Sequence, residues 1–150
     1  VDDAIALATA AYLASDCEFF VLHGLTSLHA TIVLLGHLDA VNQRRALAFW
    51  WRAAMATYVV EDLPGLDACF DILQTGPSSV EENLDWHDVH ARARRSLDEH
   101  VTKAVYALWR WATSGLFSER TVSLCEIAAR HQVRPHRSGR VHENIWSAWR

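Results

Sequence analysis

A long uncharged run near the start of the sequence limits the fold of this chain more than any other feature. Between Glu18 and Asp39 there is no Asp, Glu, Lys or Arg. Apolar residues in this run point in every direction around a helical wheel, and a helix that is apolar all round is normally buried. We therefore predict an all-α helical bundle in which residues 16–38, approximately, form the central and most buried helix.

The same run carries one polar stripe. At 100° per residue, four of its polar side chains lie on one side of the predicted helix: His23, Thr26, Ser27 and His37. A neutral imidazole there can act as a general base, with the hydroxyl groups orienting a substrate oxygen. Alternatively, the hydroxyls bond carbonyl groups one turn back, and His23 bonds a single partner in the core. The pattern leaves both interpretations open.

Apolar spacing and turn residues predict further helices, and no segment alternates with the period of a strand. The predicted helices span approximately residues 2–15, 43–61, 66–73, 84–114 and 119–131. Trp50, Trp51 and Tyr58 occupy core-facing positions of the 43–61 helix, and Leu97 occupies one in the long 84–114 helix. We interpret residues 1–133 as a helical domain and residues 134–150 as a basic, partly irregular C-terminal extension.

Composition excludes several classes of protein. The 150 residues are 51% hydrophobic and 21% charged, which suits a chain that buries a core and not a disordered segment. A net charge of −4 gives no reason to expect nucleic acid or an anionic membrane as partner. Histidines and hydroxyls within the uncharged run argue against a membrane span. An odd number of widely spaced cysteines is typical of reduced thiols, which favours the cytoplasm.

Sequence motifs for common cofactors are missing. We find no nucleophile elbow, phosphate-binding loop or dinucleotide-binding glycine motif. His87 and His90 have a spacing that metal ligands use, but no Glu-x-x-His pair accompanies them, so the di-iron pattern of helical bundles is not met. We therefore expect neither a metal nor a flavin.

A second group of chemically useful residues is Asp98-Glu99-His100-x-x-Lys103. On a continuous helix, His100 and Lys103 lie within about 60° of each other, whereas Asp98 points away from His100. We therefore expect no direct interaction between Asp98 and His100. Glu99 and Lys103 are also spaced for an ordinary exposed ion pair, which is the simpler account of Lys103.

Three sequence blocks together resemble the questin oxidase-like family and occur in the order of that family. The blocks cover roughly residues 4–115. They are Asp16-x-x-Phe19-x-x-Leu22-His23-x-x-Thr26-Ser27, then Arg45 to Tyr58 with Trp50-Trp51 and a following Leu-Pro-Gly-Leu, and Asp98-Glu99-His100-Val101-x-Lys103-Ala104-x-x-Ala107-Leu108.

The resemblance implies an oxygen-dependent, Baeyer–Villiger-type opening of a polycyclic quinone or phenolic polyketide, by a flavin-independent monooxygenase associated with NADPH. Members of the family are longer, with an N-terminal half ahead of the His23 block, so this chain would be the C-terminal part or a reduced relative. Its expected partner is the missing N-terminal half or a further copy in a homo-oligomer. Tyr106 stands where much of the family is expected to carry a basic residue.

The resemblance and the residue chemistry together assign candidate roles. The predicted catalytic residues are His23 and His100 as bases and Lys103 as a stabiliser of a developing oxyanion. The predicted substrate-binding residues are Thr26, Ser27, Trp50, Trp51, Tyr58 and Tyr106. The alternative is a non-catalytic helical module that binds an apolar ligand or a partner helix. An enzyme requires His23 and His100 to face one site, whereas a module would hold them apart.

Overall fold

The computed structural model describes residues 1–60, 65–76 and 84–134, which form seven α-helices and contain no strand. The predicted all-α class is therefore confirmed. The predicted extension, 134–150, lies outside the described residues except for Arg134, so the division of the chain stays a prediction. The helices are α1 (Asp2–Ala14), α2 (Phe19–Leu35), α3 (Ala40–Val60), α4 (Leu66–Thr75), α5 (Trp86–Arg95), α6 (Glu99–Ala112) and α7 (Glu119–Gln132).

Helices α1, α6 and α7 form much of the core, and each buries more side chains than α2 does. Ile5 and Tyr12 of α1 and Leu108 of α6 are fully buried. Tyr12 donates its hydroxyl hydrogen to Oε1 of Gln132 on α7. This polar contact inside the core satisfies two groups that would otherwise destabilise it.

Helix α2 follows the uncharged run but is buried on one face only. Its buried face packs against α1, α3 and α6, whereas Val33 is 57% and Leu34 is 59% exposed. The prediction of a helix buried on all sides is therefore wrong for the outer face. The hydropathy of a helix depends only on its own residues, so it does not show how many neighbouring helices cover them. No described helix is both long and apolar enough to cross a membrane.

The helix predicted over 84–114 is two helices, α5 and α6, separated by Ser96, Leu97 and Asp98. Leu97, predicted to point inward, is fully exposed. Ser96 Oγ accepts the Asp98 backbone N–H at 3.2 Å, and Asp98 Oδ1 accepts the His100 backbone N–H at 2.9 Å. Short polar side chains compete in this way with helical hydrogen bonds, and an Asp at the N-cap begins a new helix.

The turn between α1 and α2 fixes where α2 begins. Asp16 and Cys17 both have positive φ angles, 56° and 59°, which are rare for residues other than glycine. The Cys17 backbone N–H bonds the Tyr12 carbonyl at 2.7 Å. Asp16 Oδ1 lies 3.1 Å from Nε2 of His131 on α7. Glu18 then caps α2 by accepting N–H bonds from its first turn. These contacts hold the N-terminal end of α2 in place.

Helix α3 packs against α2 through Trp50, whose indole Nε1–H reaches Gly24 O at 3.0 Å and Ser27 Oγ at 3.2 Å. Trp50 is the only α3 side chain that is buried. The last predicted helix agrees closely with α7, and Ser118 is its N-cap, with Oγ accepting the Thr121 N–H at 3.3 Å. The predicted end of the third helix, at Leu63-Pro64-Gly65, falls largely outside the described residues.

Candidate active site

Three rings from two helices meet where α2 crosses α6. The centroids of the His23 and His100 rings are 5.5 Å apart. Phe19 contacts both, at 4.4 Å from His23 and 4.9 Å from His100. The expectation that the two imidazoles lie close together is thus met, although their catalytic role stays a prediction. The three rings are named the imidazole cluster below.

His23 is held in one tautomer by its own helix. Its Nδ1 lies 2.8 Å from the Phe19 carbonyl oxygen, which only accepts hydrogen bonds, so Nδ1 carries the proton. No described residue bonds its Nε2, and the side chain is exposed. Nε2 is therefore the ring nitrogen that His23 presents to whatever binds at the imidazole cluster.

His100 is held by Asp98, contrary to the expectation that these two residues point apart. Asp98 Oδ1 lies 2.8 Å from His100 Nδ1, and the Asp98 side chain is only 7% exposed. The expectation assumed a continuous helix, whereas α6 begins after Asp98 and lets its carboxylate fold back. A buried carboxylate on Nδ1 orients the imidazole and stabilises the imidazolium that forms when Nε2 takes a proton. Sequence reasoning left Asp98 out of the site. An Asp directly before an apolar-periodic run was the signal for an N-cap.

The other polar residues predicted for this site are occupied elsewhere. Thr26 donates its hydroxyl hydrogen to Leu22 O at 3.0 Å, and Ser27 donates to Gly24 O at 2.9 Å. These are the bonds to carbonyls one turn back that the simpler interpretation expected. Lys103 Nζ lies 3.2 Å from Glu99 Oε1, and both side chains are more than half exposed. That ion pair leaves Lys103 without a described contact to the imidazole cluster.

Three predicted substrate-binding aromatics line a separate apolar cavity between α1, α2 and α3. Trp50, Trp51 and Tyr58 lie there beside Phe20 and Leu25, and neither imidazole lines it. Its volume is about 40 Å³, whereas ligand sites usually measure roughly 300–1,000 Å³. The Tyr58 hydroxyl lies 3.4 Å from the buried Cys69 thiol. Packing of α3 on the bundle accounts for these aromatics better than substrate binding does.

A comparison with models of protein families matched the description "Questin oxidase-like" over residues 2–108. The chain belongs to this family. Comparisons with curated proteins and with solved structures gave no match. The matched region of this questin oxidase-like chain contains the whole imidazole cluster and Asp98.

Tyr106, the last predicted substrate-binding residue, lies with other rings and not with His100. Its ring centroid is 5.6 Å from that of His29 and 6.2 Å from that of Trp109. His29, which sequence reasoning did not select, is also 5.7 Å from Trp111. Burial, together with the nearby charge of Arg110, lowers the pKa of His29 below its ordinary value. His29 is therefore neutral at pH 7. Like His23, it is an imidazole of α2 that lies beside a ring of α6.

Near the start of α5, Asp85, His87 and Asp88 have ligand atoms within 4.8 Å of one another, and all three are exposed. Asp85 is the N-cap of α5 and accepts the Asp88 N–H at 2.9 Å. Helix capping accounts for this grouping, because acidic residues are favoured in a first helical turn. The His87 side chain is 85% exposed.

Proposed function

We propose that this questin oxidase-like chain takes part in an O₂-dependent, Baeyer–Villiger-type oxidation of a planar phenolic quinone. In this reaction a ring ketone, O₂, NADPH and H⁺ give a ring-expanded ester, NADP⁺ and water. One oxygen atom enters the C–C bond beside the carbonyl, and the other leaves as water. The nicotinamide hydride supplies the two electrons. The family assignment and the chemistry of the imidazole cluster support this proposal.

The observation that carries it is the pairing of two imidazoles whose Nδ1 atoms are both already bonded. His23 and His100 come from different helices, yet their rings lie 5.5 Å apart. Each donates Nδ1–H to a fixed oxygen at 2.8 Å, so each has Nε2 left for a ligand. A non-catalytic module would have no need to fix two adjacent imidazoles in this way.

In the proposed mechanism, His100 is the general base that removes the proton of a phenolic hydroxyl on the bound ring. Asp98 stabilises the resulting imidazolium through Nδ1. The phenolate donates electron density to the ring and so makes it reactive towards O₂. His100 later returns the proton to the oxygen atom that leaves as water. A positioned base of this kind typically contributes roughly 10²- to 10⁴-fold to a rate.

His23 and Phe19 orient the substrate in this mechanism. His23 Nε2 accepts a hydrogen bond from a second ring hydroxyl. The Phe19 ring, in contact with both imidazoles, packs against the flat substrate, since aromatic rings gain from edge and offset stacking. Lys103 would have to leave Glu99 before it could stabilise an oxyanion, so we give it a secondary role.

The chain's own residues give no reason to add a metal or a flavin to this scheme. NADPH enters as a co-substrate and supplies hydride. Around the imidazole cluster, the described residues include no glycine-rich phosphate-binding loop, so we assign this chain no step in hydride transfer. A family member of this kind would work on a small aromatic substrate in the cytoplasm.

The test compares oxygen consumption by wild type, His23→Asn and His100→Asn with a hydroxyanthraquinone and NADPH. Asn keeps a hydrogen-bonding group and so limits the structural cost. His87→Asn is the matched control, because His87 is 85% exposed and lies outside the imidazole cluster. We expect His100→Asn to lower kcat by roughly 10²-fold or more. The control, His87→Asn, should keep the melting temperature of wild type. Turnover by both cluster variants at the rate of wild type would refute the assignment.

A further inference from the structure

The outer face of α3 carries an apolar stripe that no other described part of the chain covers. Its members are Phe49, Ala53, Ala56 and Val60, which follow one another at intervals of four, three and four residues. All four are exposed, with Phe49 at 66% and Val60 at 78%. Intervals that alternate between three and four residues are those of a coiled-coil seam. This stripe is named the α3 seam below.

A different side of α3 already supplies its contact with the bundle. Trp50 points towards α2, where its indole bonds Gly24 and Ser27. On the seam itself, the described contact of Phe49 is with Arg52, whose guanidinium lies 6.0 Å from the ring centroid. A contiguous exposed apolar face on a helix marks an interaction site.

We propose that the α3 seam binds the α3 seam of a second copy of this chain, antiparallel, across a two-fold axis between Ala53 and Ala56. The three intervals read the same in both directions, so antiparallel helices match every seam residue with another one. Phe49 then meets Val60 of the second copy. Ala53 meets Ala56 at the centre, where two small side chains let the helix axes approach closely.

Charge selects the antiparallel orientation and favours a second copy as the occupant. Helix α3 contains three arginines and no acidic residue, while two acidic residues follow it directly in the sequence: Arg44, Arg45, Arg52, Glu61 and Asp62. In the antiparallel register Arg52 of one helix lies opposite residue 57 of the other, towards the C-terminal end of that helix. The helix dipole is negative there. A parallel pair would instead align arginine with arginine, which is repulsive.

The size of the interface sets what kind of dimer to expect. Because Phe49 of one helix lies opposite Val60 of the other, the two α3 helices overlap over residues 49–60, about 18 Å. A two-fold interface is self-complementary and closes after two subunits. One helix pair of this length is a small interface by the standards of permanent dimers. The dimer therefore forms reversibly and depends on concentration.

Neighbouring valines of α3 provide a matched pair of variants. Val60 lies on the seam and Val59 lies 100° away from it on the helix, and the two are exposed to nearly the same extent, 78% and 79%. Sedimentation velocity over a wide concentration range should show twice the chain mass for wild type and for Val59→Glu. Val60→Glu should stay at the mass of one chain, with an unchanged circular dichroism spectrum. A wild type that is monomeric throughout, or a Val60→Glu dimer as strong as that of wild type, overturns the proposal.

Disulfide trapping tests the orientation independently of any charge substitution. Ala53→Cys and Ala56→Cys chains are mixed and oxidised in air, and the native thiols do not interfere because they are buried: Cys17, Cys69 and Cys125. Antiparallel pairing predicts that the mixed disulfide forms fastest. Preferential linking of each variant to itself would show a parallel pair and overturn the proposal.

Discussion

Substitutions at Asp98 separate its two structural roles. Its carboxylate caps α6 by accepting the His100 backbone N–H at 2.9 Å, and it accepts the His100 imidazole N–H at 2.8 Å. Asp98→Asn keeps an oxygen for both bonds and loses the charge. Asp98→Ser keeps a good cap and loses the imidazole bond. Asp98→Ala loses both.

The size of each effect follows from these contacts. Loss of an N-cap costs about 0.5–2 kcal/mol. The His100 side chain is 19% exposed, so its N–H would be left largely buried and unpaired, at a cost of about 1–3 kcal/mol. Asp98→Ala should therefore lower the free energy of unfolding by about 3 kcal/mol, and Asp98→Ser by about half of that. For a chain of this length, 1 kcal/mol corresponds to roughly 2–4 °C in Tm.

Thermal and urea unfolding of the three Asp98 variants measure these differences directly. Asp98→Asn should remain within about 1 kcal/mol of wild type, because Asn caps helices as well as Asp does. Its kcat should nevertheless fall by roughly 10²-fold or more, since the imidazolium loses its carboxylate. If Asp98→Ala is as stable as wild type, or Asp98→Asn is fully active, the account of this residue is wrong.

Trp50→Phe should lower the free energy of unfolding by about 1–3 kcal/mol, because it removes the indole bonds to Gly24 and Ser27. Urea denaturation measures this free energy. An unchanged value would show that these bonds do not hold α3 on α2. The lowered pKa of His29, caused by burial and by Arg110, means that the unfolded chain binds this proton more readily than the folded one. The free energy of unfolding should therefore fall as the pH drops through the ordinary histidine pKa of 6.5. The decrease in Tm between pH 7.5 and 5.5 should be smaller in His29→Gln than in wild type. An equal decrease in the two proteins would contradict this role of His29. A thiol reagent at pH 8 should label no cysteine before unfolding and all three afterwards, because the side chains are buried: Cys17, Cys69 and Cys125.

Local signals in the sequence predicted the elements well. The apolar period and Ser118 located α7, and helical spacing placed Trp50 on the buried face of α3. The proximity of His23 and His100 was also predictable. Each borders the apolar face of its helix, and these apolar faces pack against each other in a small bundle. These features depend on a few neighbouring residues or on one pair of helices.

Features that depend on the neighbours of a helix were not predictable in the same way. Apolar spacing runs unbroken through Leu97, and only the competition from the Ser96 and Asp98 side chains divides α5 from α6. Val33 and Leu34, on the outer face of α2, are as apolar as the residues on its buried face. A sequence pattern cannot distinguish a core position from an exposed one when both carry the same kind of residue.

The predicted site residues divided among three places for a similar reason. The stripe on α2 and the aromatics of α3 are on neighbouring helices, which suggested one pocket. In the structure Trp50 faces α2 and Tyr58 faces α4, while His23 faces α6. Which side of a helix meets which neighbour is set by the packing of the whole bundle and not by spacing within one helix.

The most direct test of the imidazole cluster is the visible spectrum of a bound hydroxyanthraquinone, because the phenol and phenolate forms absorb at clearly different wavelengths. The measurement needs neither O₂ nor NADPH and can be made under argon at a pH where the free ligand is a phenol. We predict that wild type shifts the bound ligand to the phenolate spectrum, and that His100→Asn binds it as the phenol. A ligand that keeps the phenol spectrum when saturated with wild type, or that ionises equally well on His100→Asn, would contradict the proposal that His100 is the base.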